Sequence, residues 1–439
     1  MNWAQRISVA ALAAMSLATT MAADWPQWRG PLLNGSSPEE KNLPETWSKT
    51  ENVLWKAPLP GPSGATPIIQ GDTVFVSSVD GEKNLLLLAF ERKTGKEKWR
   101  KVVAAGADRT SGRNNMASPS PVADANAVYA LYGTADLAAF DHSGKELWKR
   151  NLGADFGRFS VMWIYGSSPL LHKGKLYVQV LQRTPVPDDY AHAQDGKGER
   201  ESYLLCLDPK TGKDIWRHVR PSDAIKESQE AYSTPIPHEG PNGTEIIILG
   251  GDYTTGHDAN TGKEIWRAGG LNPKKDPWWR IVPSPVVGKG LIFVSAPKRD
   301  PVYALKTGGK GDITESHLAW SFKEYPTDWS TPLFYQDKLY VLDGDRRKML
   351  TCLEPETGKP IWQGSLEVRE TIWSSPTGAD GKIYNLSESG TALVASAGPE
   401  FKLISKIEMG EGPCRSSIAV AHGNLFIRTA ENLYCIGKK

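Results

Sequence analysis

Cysteine is scarce in this chain of 439 residues, which has only four. No two are adjacent, no Cys-x-x-Cys occurs, and there is no Cys-x-x-Cys-His for attaching haem. Net charge is also small, +2, which removes the bulk electrostatic case for nucleic acid or acidic lipid. After residue 22 no apolar run is long enough to cross a bilayer as a helix. His-Glu-x-x-His, Gly-x-Ser-x-Gly and a phosphate loop are all missing. The eight histidines are scattered, with no two at metal-ligand spacing, and His192 reads as solvated in a polar loop. These absences count against the common hydrolase, zinc and nucleotide-dependent chemistries.

Turn formers and indole are abundant instead: 42 Gly, 31 Pro and 16 Trp. Much of the tryptophan belongs to one recurring phrase, an apolar strand, an acidic turn, Thr-Gly-Lys and then Trp. It reads LLAFERKTGKEKW (87–99), LAAFDHSGKELW (137–148), LLCLDPKTGKDIW (204–216), GHDANTGKEIW (256–266) and LTCLEPETGKPIW (350–362). A repeat of roughly 40–55 residues implies stacked units, none able to bury its apolar face alone. Each unit opens on a small-residue phrase: Ala65-Thr66-Pro67, Pro119-Ser120-Pro121, Ser167-Ser168-Pro169, Ser233-Thr234-Pro235, Pro283-Ser284-Pro285, Ser330-Thr331-Pro332 and Ser374-Ser375-Pro376. An eighth, Ser416-Ser417-Ile418, lacks the proline. Proline suits a first strand position, where its missing N–H interrupts no ladder.

Four short antiparallel strands per unit make a propeller blade, so the expected fold is all-β, an eight-bladed β-propeller. The last unit stops without its tryptophan strand, while Val53-Leu54-Trp55 is such a strand with no blade before it. Joining the two closes the ring and removes exposed edges. Trp55, Trp99, Trp148, Trp216, Trp266, Trp320 and Trp362 are then expected to dock each blade onto the next. Cys206, Cys352 and Cys435 share one place in three repeats and read as buried thiols. Cys414 stands outside that pattern; a bond to Cys435 is conceivable, but the intervening strand should hold the two apart.

The expected domains are a signal peptide at 1–22, an N-terminal extension at 23–52 and the propeller at 53–439, with blades starting near 65, 119, 167, 233, 283, 330, 374 and 416. The signal peptide rests on Arg6, the apolar stretch 7–17 and the small-residue end Thr20-Met21-Ala22. No cysteine follows it, so a lipoprotein anchor is not expected. An exported protein, periplasmic or secreted, is.

The repeat resembles the quinoprotein-type propeller motif, A-x-D-x-x-T-G-x-x-x-W. Good matches are Glu91-Thr94-Gly95-Trp99, Asp208-Thr211-Gly212-Trp216, Asp258-Thr261-Gly262-Trp266 and Glu354-Thr357-Gly358-Trp362. The match at Asp141 is one residue short, and those near Trp320 and Lys406 are degenerate. The opening phrase DWPQWRGP (24–31) looks like the start of many exported bacterial members of this PQQ-like group.

The resemblance implies one of two activities. Quinone-dependent alcohol and glucose dehydrogenases hold PQQ and a calcium-type cation in the funnel, with an aspartate base, and many alcohol dehydrogenases add a disulfide of adjacent cysteines. Noncatalytic members include the periplasmic assembly factor BamB, a protein-binding scaffold. This chain is shorter than those enzymes and has no Cys-Cys pair, so the resemblance implies the BamB-like branch: no catalytic residue, no cofactor, and an envelope protein or peptide as partner. The alternatives are a PQQ-dependent oxidoreductase carrying PQQ with calcium, or a carbohydrate-binding propeller. Asp343-Gly344-Asp345 and Asp80-Gly81 resemble cation loops but read as tight turns.

In propellers of this kind the segments leading into each first strand line a funnel. Here they carry Arg113, Asn114, Asn115, Trp163, Tyr165, Tyr232, Trp278, Trp279, Arg280, Trp329, Trp373 and Arg415. Such a cationic, aromatic mouth suits a planar anion, a glycan or a peptide. The other account is that large side chains merely plug a wide channel. A long interruption of the third blade, 182–201, reads as a surface loop that either contacts a partner or is decoration.

Overall fold

In the first repeat the second and third strands are buried nearly throughout, and the fourth alternates over most of its length. Leu85–Glu91 is buried at every residue but its last, whereas Glu97–Ala104 alternates partly buried with exposed positions over most of its length. That contrast places the middle strands between neighbouring sheets and the fourth at the rim. The computed structural model describes residues 23–105, 111–195, 199–298 and 300–438; the expected signal peptide lies outside them.

Eight antiparallel sheets form a ring of blades. Blade 1 comprises Ile68–Gln70, Thr73–Val79, Leu85–Glu91 and Glu97–Ala104. Blades 2 to 7 begin at Val122–Ala123, Leu170–His172, Ile236–Gly240, Val286–Gly288, Leu333–Tyr335 and Thr377–Ala379. Blade 8 joins Ala419–Ala421, Asn424–Arg428 and Asn432–Ile436 to Val53–Pro58, with Trp55 opposite Cys435. The two ends of the chain thus share one sheet, as the orphan tryptophan strand implies.

The Ser/Thr-Pro phrases have a second role. The backbone N–H of Thr66 donates to Ser120 Oγ at 2.9 Å, Ser120 to Ser168, Ser168 to Thr234 and Thr234 to Ser284. Ser284 donates to Thr331, Thr331 to Ser375, Ser375 to Ser417, and Ser417 back to Thr66. One buried hydroxyl per blade therefore satisfies a backbone donor of the blade before it, all the way round.

At the rim the clamp is indole on glycine. A Cβ built on Gly95 would lie 2.5 Å from the Trp55 ring, and Gly144, Gly212, Gly262 and Gly358 meet Trp99, Trp148, Trp216 and Trp320 in the same way. Each glycine belongs to the acidic turn of the next blade, and Trp55 Nε1 donates to Arg92 O there at 2.7 Å. Trp362 follows the pattern through Gly398 O at 3.0 Å. Trp266 departs from it. Its ring packs on Gly256 and its Nε1 donates to Glu245 Oε2 at 2.8 Å, both within its own blade. The reason is the longer turn of blade 5, whose Gly311–Asp312 lies parallel to the outer strand of blade 4. Blade 7 has Ser405, not Lys406, at the tryptophan register position opposite Val394.

All four cysteines are free and buried. Asp80 and Asp343 accept backbone N–H groups of the residues just after them, so both acidic pairs are tight turns.

The N-terminal extension crosses the channel just past the Ser/Thr ring, on the side away from the lead-in segments. Trp25 pairs with Ile69 of blade 1, Pro26 O accepts from Ala123 N of blade 2, and Gln27 Oε1 from Leu171 N of blade 3. Asn34 O and Gly35 O accept from Phe334 and Gly378, and Ser36–Ser37 adds a parallel strand to blade 7. Arg29, 1% exposed, donates to Pro376 O and Pro332 O, each at 2.7 Å.

Candidate functional site

Blocking one end of the channel leaves a blind funnel at the other. Its cavity holds about 200 Å³, with Trp28 as floor and seven of the eight ring hydroxyls around the throat. None of these hydroxyls donates to a protein acceptor among the described residues, so their O–H groups remain available to the cavity. Beneath the floor Arg29 lies 5.9 Å from the Trp28 ring, and burial pulls its pKa down to about 9.

Above the throat stand the lead-in segments. Trp329 stacks on Trp373 with centroids 4.3 Å apart and planes at 26°. Arg415 covers Trp373 at 5.8 Å while holding Glu388 at 3.0 Å and Gly112 O at 2.7 Å. Among the described residues Trp373 Nε1 and Arg415 Nε are buried without hydrogen-bond partners. Opposite, Arg113 lies 5.1 Å over the Trp163 ring. Trp163 Nε1 donates to Glu227 Oε1 at 2.7 Å, and Arg280 approaches the same oxygen at 3.5 Å. Asn114 Nδ2 donates to Ile164 O at 3.1 Å, fixing the lead-in of blade 2 to that of blade 3.

Tyr232 forms wall rather than rim. Its hydroxyl accepts from Trp163 N and donates to Glu230 Oε2, both at 3.0 Å. Glu230 is fully buried and also accepts from Met162 N and Tyr190 Oη, each at 2.7 Å. Burial pushes its pKa up to about 7, the three donors opposing the rise. Tyr190 belongs to the interruption of blade 3, so that loop is pinned to the funnel wall. His192 in the same loop contacts Val161 O at 3.1 Å and is not merely solvated.

Of the residues expected here, Arg113, Asn114, Trp163, Tyr232, Arg280, Trp329, Trp373 and Arg415 line the cavity. Tyr165 does not: it is 1% exposed, donates to Gln179 O and packs on Phe159. Ile164 before it takes φ 75°, which turns the chain inward. Trp279 also lies outside the lining, with Nε1 donating to Leu271 O at 2.6 Å and Lys298 over its ring. The sequence reading missed Trp28 and the throat hydroxyls. Their signals were two tryptophans outside the docking phrase and a hydroxyl at the same place in every repeat.

Fold and site define an eight-bladed, tryptophan-docked propeller whose channel is a closed-ended funnel. A family model described as "Outer membrane protein assembly factor BamB" matches residues 46–180 and 200–437, and the chain belongs to this family of PQQ-like propellers. It is 26% identical over 200 residues to polyvinylalcohol dehydrogenase from a Pseudomonas species, covering 44% of this chain and 28% of that protein. With BamB of Burkholderia pseudomallei it is 23% identical over 217 residues, 49% of this chain and 47% of the other. The matched stretches thus span less than half the length of these relatives. Among solved structures, BamB from Moraxella catarrhalis superposes with a TM-score of 0.60 at 12% identity, covering 88% of this chain and 97% of that one. Quinohemoprotein alcohol dehydrogenase from Comamonas testosteroni gives 0.65 at 12% identity over 95% and 81%. These superpositions speak to fold alone.

Proposed function

We propose that the chain is an exported, noncatalytic PQQ-like propeller that serves as a protein-binding scaffold in the cell envelope, with the aromatic, cationic funnel as its docking face. The observation that carries this reading is the donor set of the funnel. Three arginines and a ring of hydroxyls line it, while Glu227, Glu230 and Glu388 beside it are already engaged. Among the described residues no three His, Cys, Asp or Glu side chains converge as a metal site. A hard cation needs several oxygen ligands, carboxylates above all. These residues therefore do not fit a quinone–calcium pair, although an anionic planar molecule alone would suit them. The family match and the BamB relatives support the scaffold reading; the polyvinylalcohol dehydrogenase relative supports the rival.

Two measurements separate the readings. Titration with PQQ and calcium, followed by absorbance and by reduction of an artificial electron acceptor with alcohols or sugars, is expected to give neither tight uptake nor turnover. Both together would establish the oxidoreductase. Capture from envelope extracts is expected to recover a protein partner, and the Arg280→Ala/Trp373→Ala double variant to lose it. A double variant keeping every partner would remove the funnel as docking face.

A further inference from the structure

We propose that the throat of the funnel is a carboxylate-binding site that receives the C-terminal end of a partner polypeptide. This rests on the scaffold reading and names what the docking face recognises. The throat is rich in donors. Each ring hydroxyl accepts one backbone N–H and donates to no protein acceptor among the described residues, so its O–H, beside one remaining lone pair, is free for a ligand. Ser120 is 2% exposed, and Ser168 and Thr234 are 4% exposed, so these donors are reached only through the cavity. Beside the throat, Trp373 Nε1 and Arg415 Nε are buried N–H groups without a hydrogen-bond partner among the described residues. Arg113 has no carboxylate within ion-pair distance among the described residues. Such a surplus calls for a ligand carrying several acceptors and negative charge, which a carboxylate supplies.

Shape selects the carrier. Trp28, carried by the extension that crosses the channel, lines the cavity across from the lead-in segments, so a chain would come in end first. The cavity of about 200 Å³ is smaller than the ~300–1,000 Å³ usual for drug-sized ligands, yet it is enough for one terminal residue. An apolar or aromatic last side chain would lie against the Trp329–Trp373 stack. Outside the throat, Ile225 and Trp278 are 43% and 45% exposed, with Lys226 over the Trp278 ring, and upstream residues of the guest would pass over them. Capture of a terminal carboxylate by converging donors is a known mode of peptide recognition.

The test uses fluorescein-labelled pentapeptide pools, randomised except for a last residue of phenylalanine, leucine or alanine, made as free acids and as amides. Fluorescence anisotropy with the full chain is expected to show acids ending in phenylalanine or leucine binding at least about tenfold more tightly than their amides. Val282 also lines the cavity, and Val282→Phe, which fills it without removing a ring hydroxyl, is expected to abolish that preference while the thermal midpoint stays put. Arg113→Gln, at an exposed position, should weaken the acids alone. Equal affinity for acid and amide, no binding by any pool, or acid binding untouched by Val282→Phe overturns the proposal. Benzoate binding as tightly as the best acid pool would make the throat a small-anion pocket and also overturn it. The scaffold reading is judged separately: a partner captured from extracts by Val282→Phe as well as by the parent leaves the scaffold standing without the chain-end site.

Discussion

The backbone N–H of Ser417 donates to the hydroxyl of Thr66 at 3.1 Å, across 351 residues of sequence, and this bond completes the circle of hydroxyls around the throat. Both residues are nearly inaccessible, at 5% and 1%. A buried N–H that loses its acceptor costs about 1–3 kcal/mol. Thr66→Val keeps the shape and deletes the acceptor, so equilibrium urea unfolding should show a loss in that range. Thr66→Ser, which keeps the oxygen, should lose less than half as much.

Two glycines with similar backbones separate conformational strain from docking. Gly262 has φ +75° and a built Cβ would lie 2.4 Å from Trp216; Gly290 has φ +71° and nothing within 4 Å. An L-residue in the left-handed region costs about 1–2 kcal/mol. Gly290→Ala should lose that much, and Gly262→Ala about 2–4 kcal/mol, because the indole must also move. Thermal unfolding of the two variants measures the difference. Equal losses would mean that indole on glycine contributes nothing to the clamp.

The acidic turn could be read from the sequence because all of its causes are local. An aspartate caps its own turn, a glycine takes positive φ, and an indole follows four residues later. Blade count and ring closure followed from the same periodicity. The funnel was harder, since its geometry depends on where lead-in segments without a repeat point their side chains. Trp163 faces the cavity and Tyr165 faces the core, two residues apart, because Ile164 between them is left-handed. The function of the Ser/Thr position was hidden for another reason: its bond crosses to the next blade. Trp28 and Arg29 stand outside the repeat, where periodicity says nothing.

Two carboxyls, Glu230 buried and Glu411 partly buried, give stability opposite dependences on pH. Glu411 ties the N-terminal strand to blade 8 through Lys56 at 3.1 Å, Thr429 at 2.7 Å, Asn432 at 2.9 Å and Tyr434 at 2.8 Å. Burial by itself would raise its pKa, but these donors overcome that and bring it from 4.5 to about 2. An acid with a depressed folded pKa stabilises fully above its unfolded value and loses the effect as pH falls. The contribution of Glu411 should therefore fade between pH 4.5 and 2. Glu230, raised to about 7, binds its proton more tightly when folded, so its contribution is complete below 4.5 and lost as pH rises through 7. Urea midpoints measured against pH should show Glu411→Gln flattening the acidic limb and Glu230→Gln flattening the limb between 4.5 and 7.

Arg29 holds the N-terminal extension, a strap across the channel, in place without any carboxylate partner among the described residues. Its guanidinium donates to Pro332 O, Pro376 O and Asn34 O, so one cation joins blades 6 and 7 to the extension that blocks the channel. Burial lowers its pKa to about 9, still leaving it charged at neutral pH, with the cost of desolvation met by three carbonyl dipoles. Arg29→Met keeps the length of the side chain but strands those carbonyls, and each buried group left unsatisfied costs about 1–3 kcal/mol. A total loss of about 2–4 kcal/mol is expected in urea. Hydrogen exchange should localise it: the amides of Phe334 and Gly378, which donate to the strap, should lose protection first, while those at the outer strand of blade 2 keep it. Uniform loss of protection around the ring would mean that Arg29 stabilises the propeller as a whole and not the strap on its own.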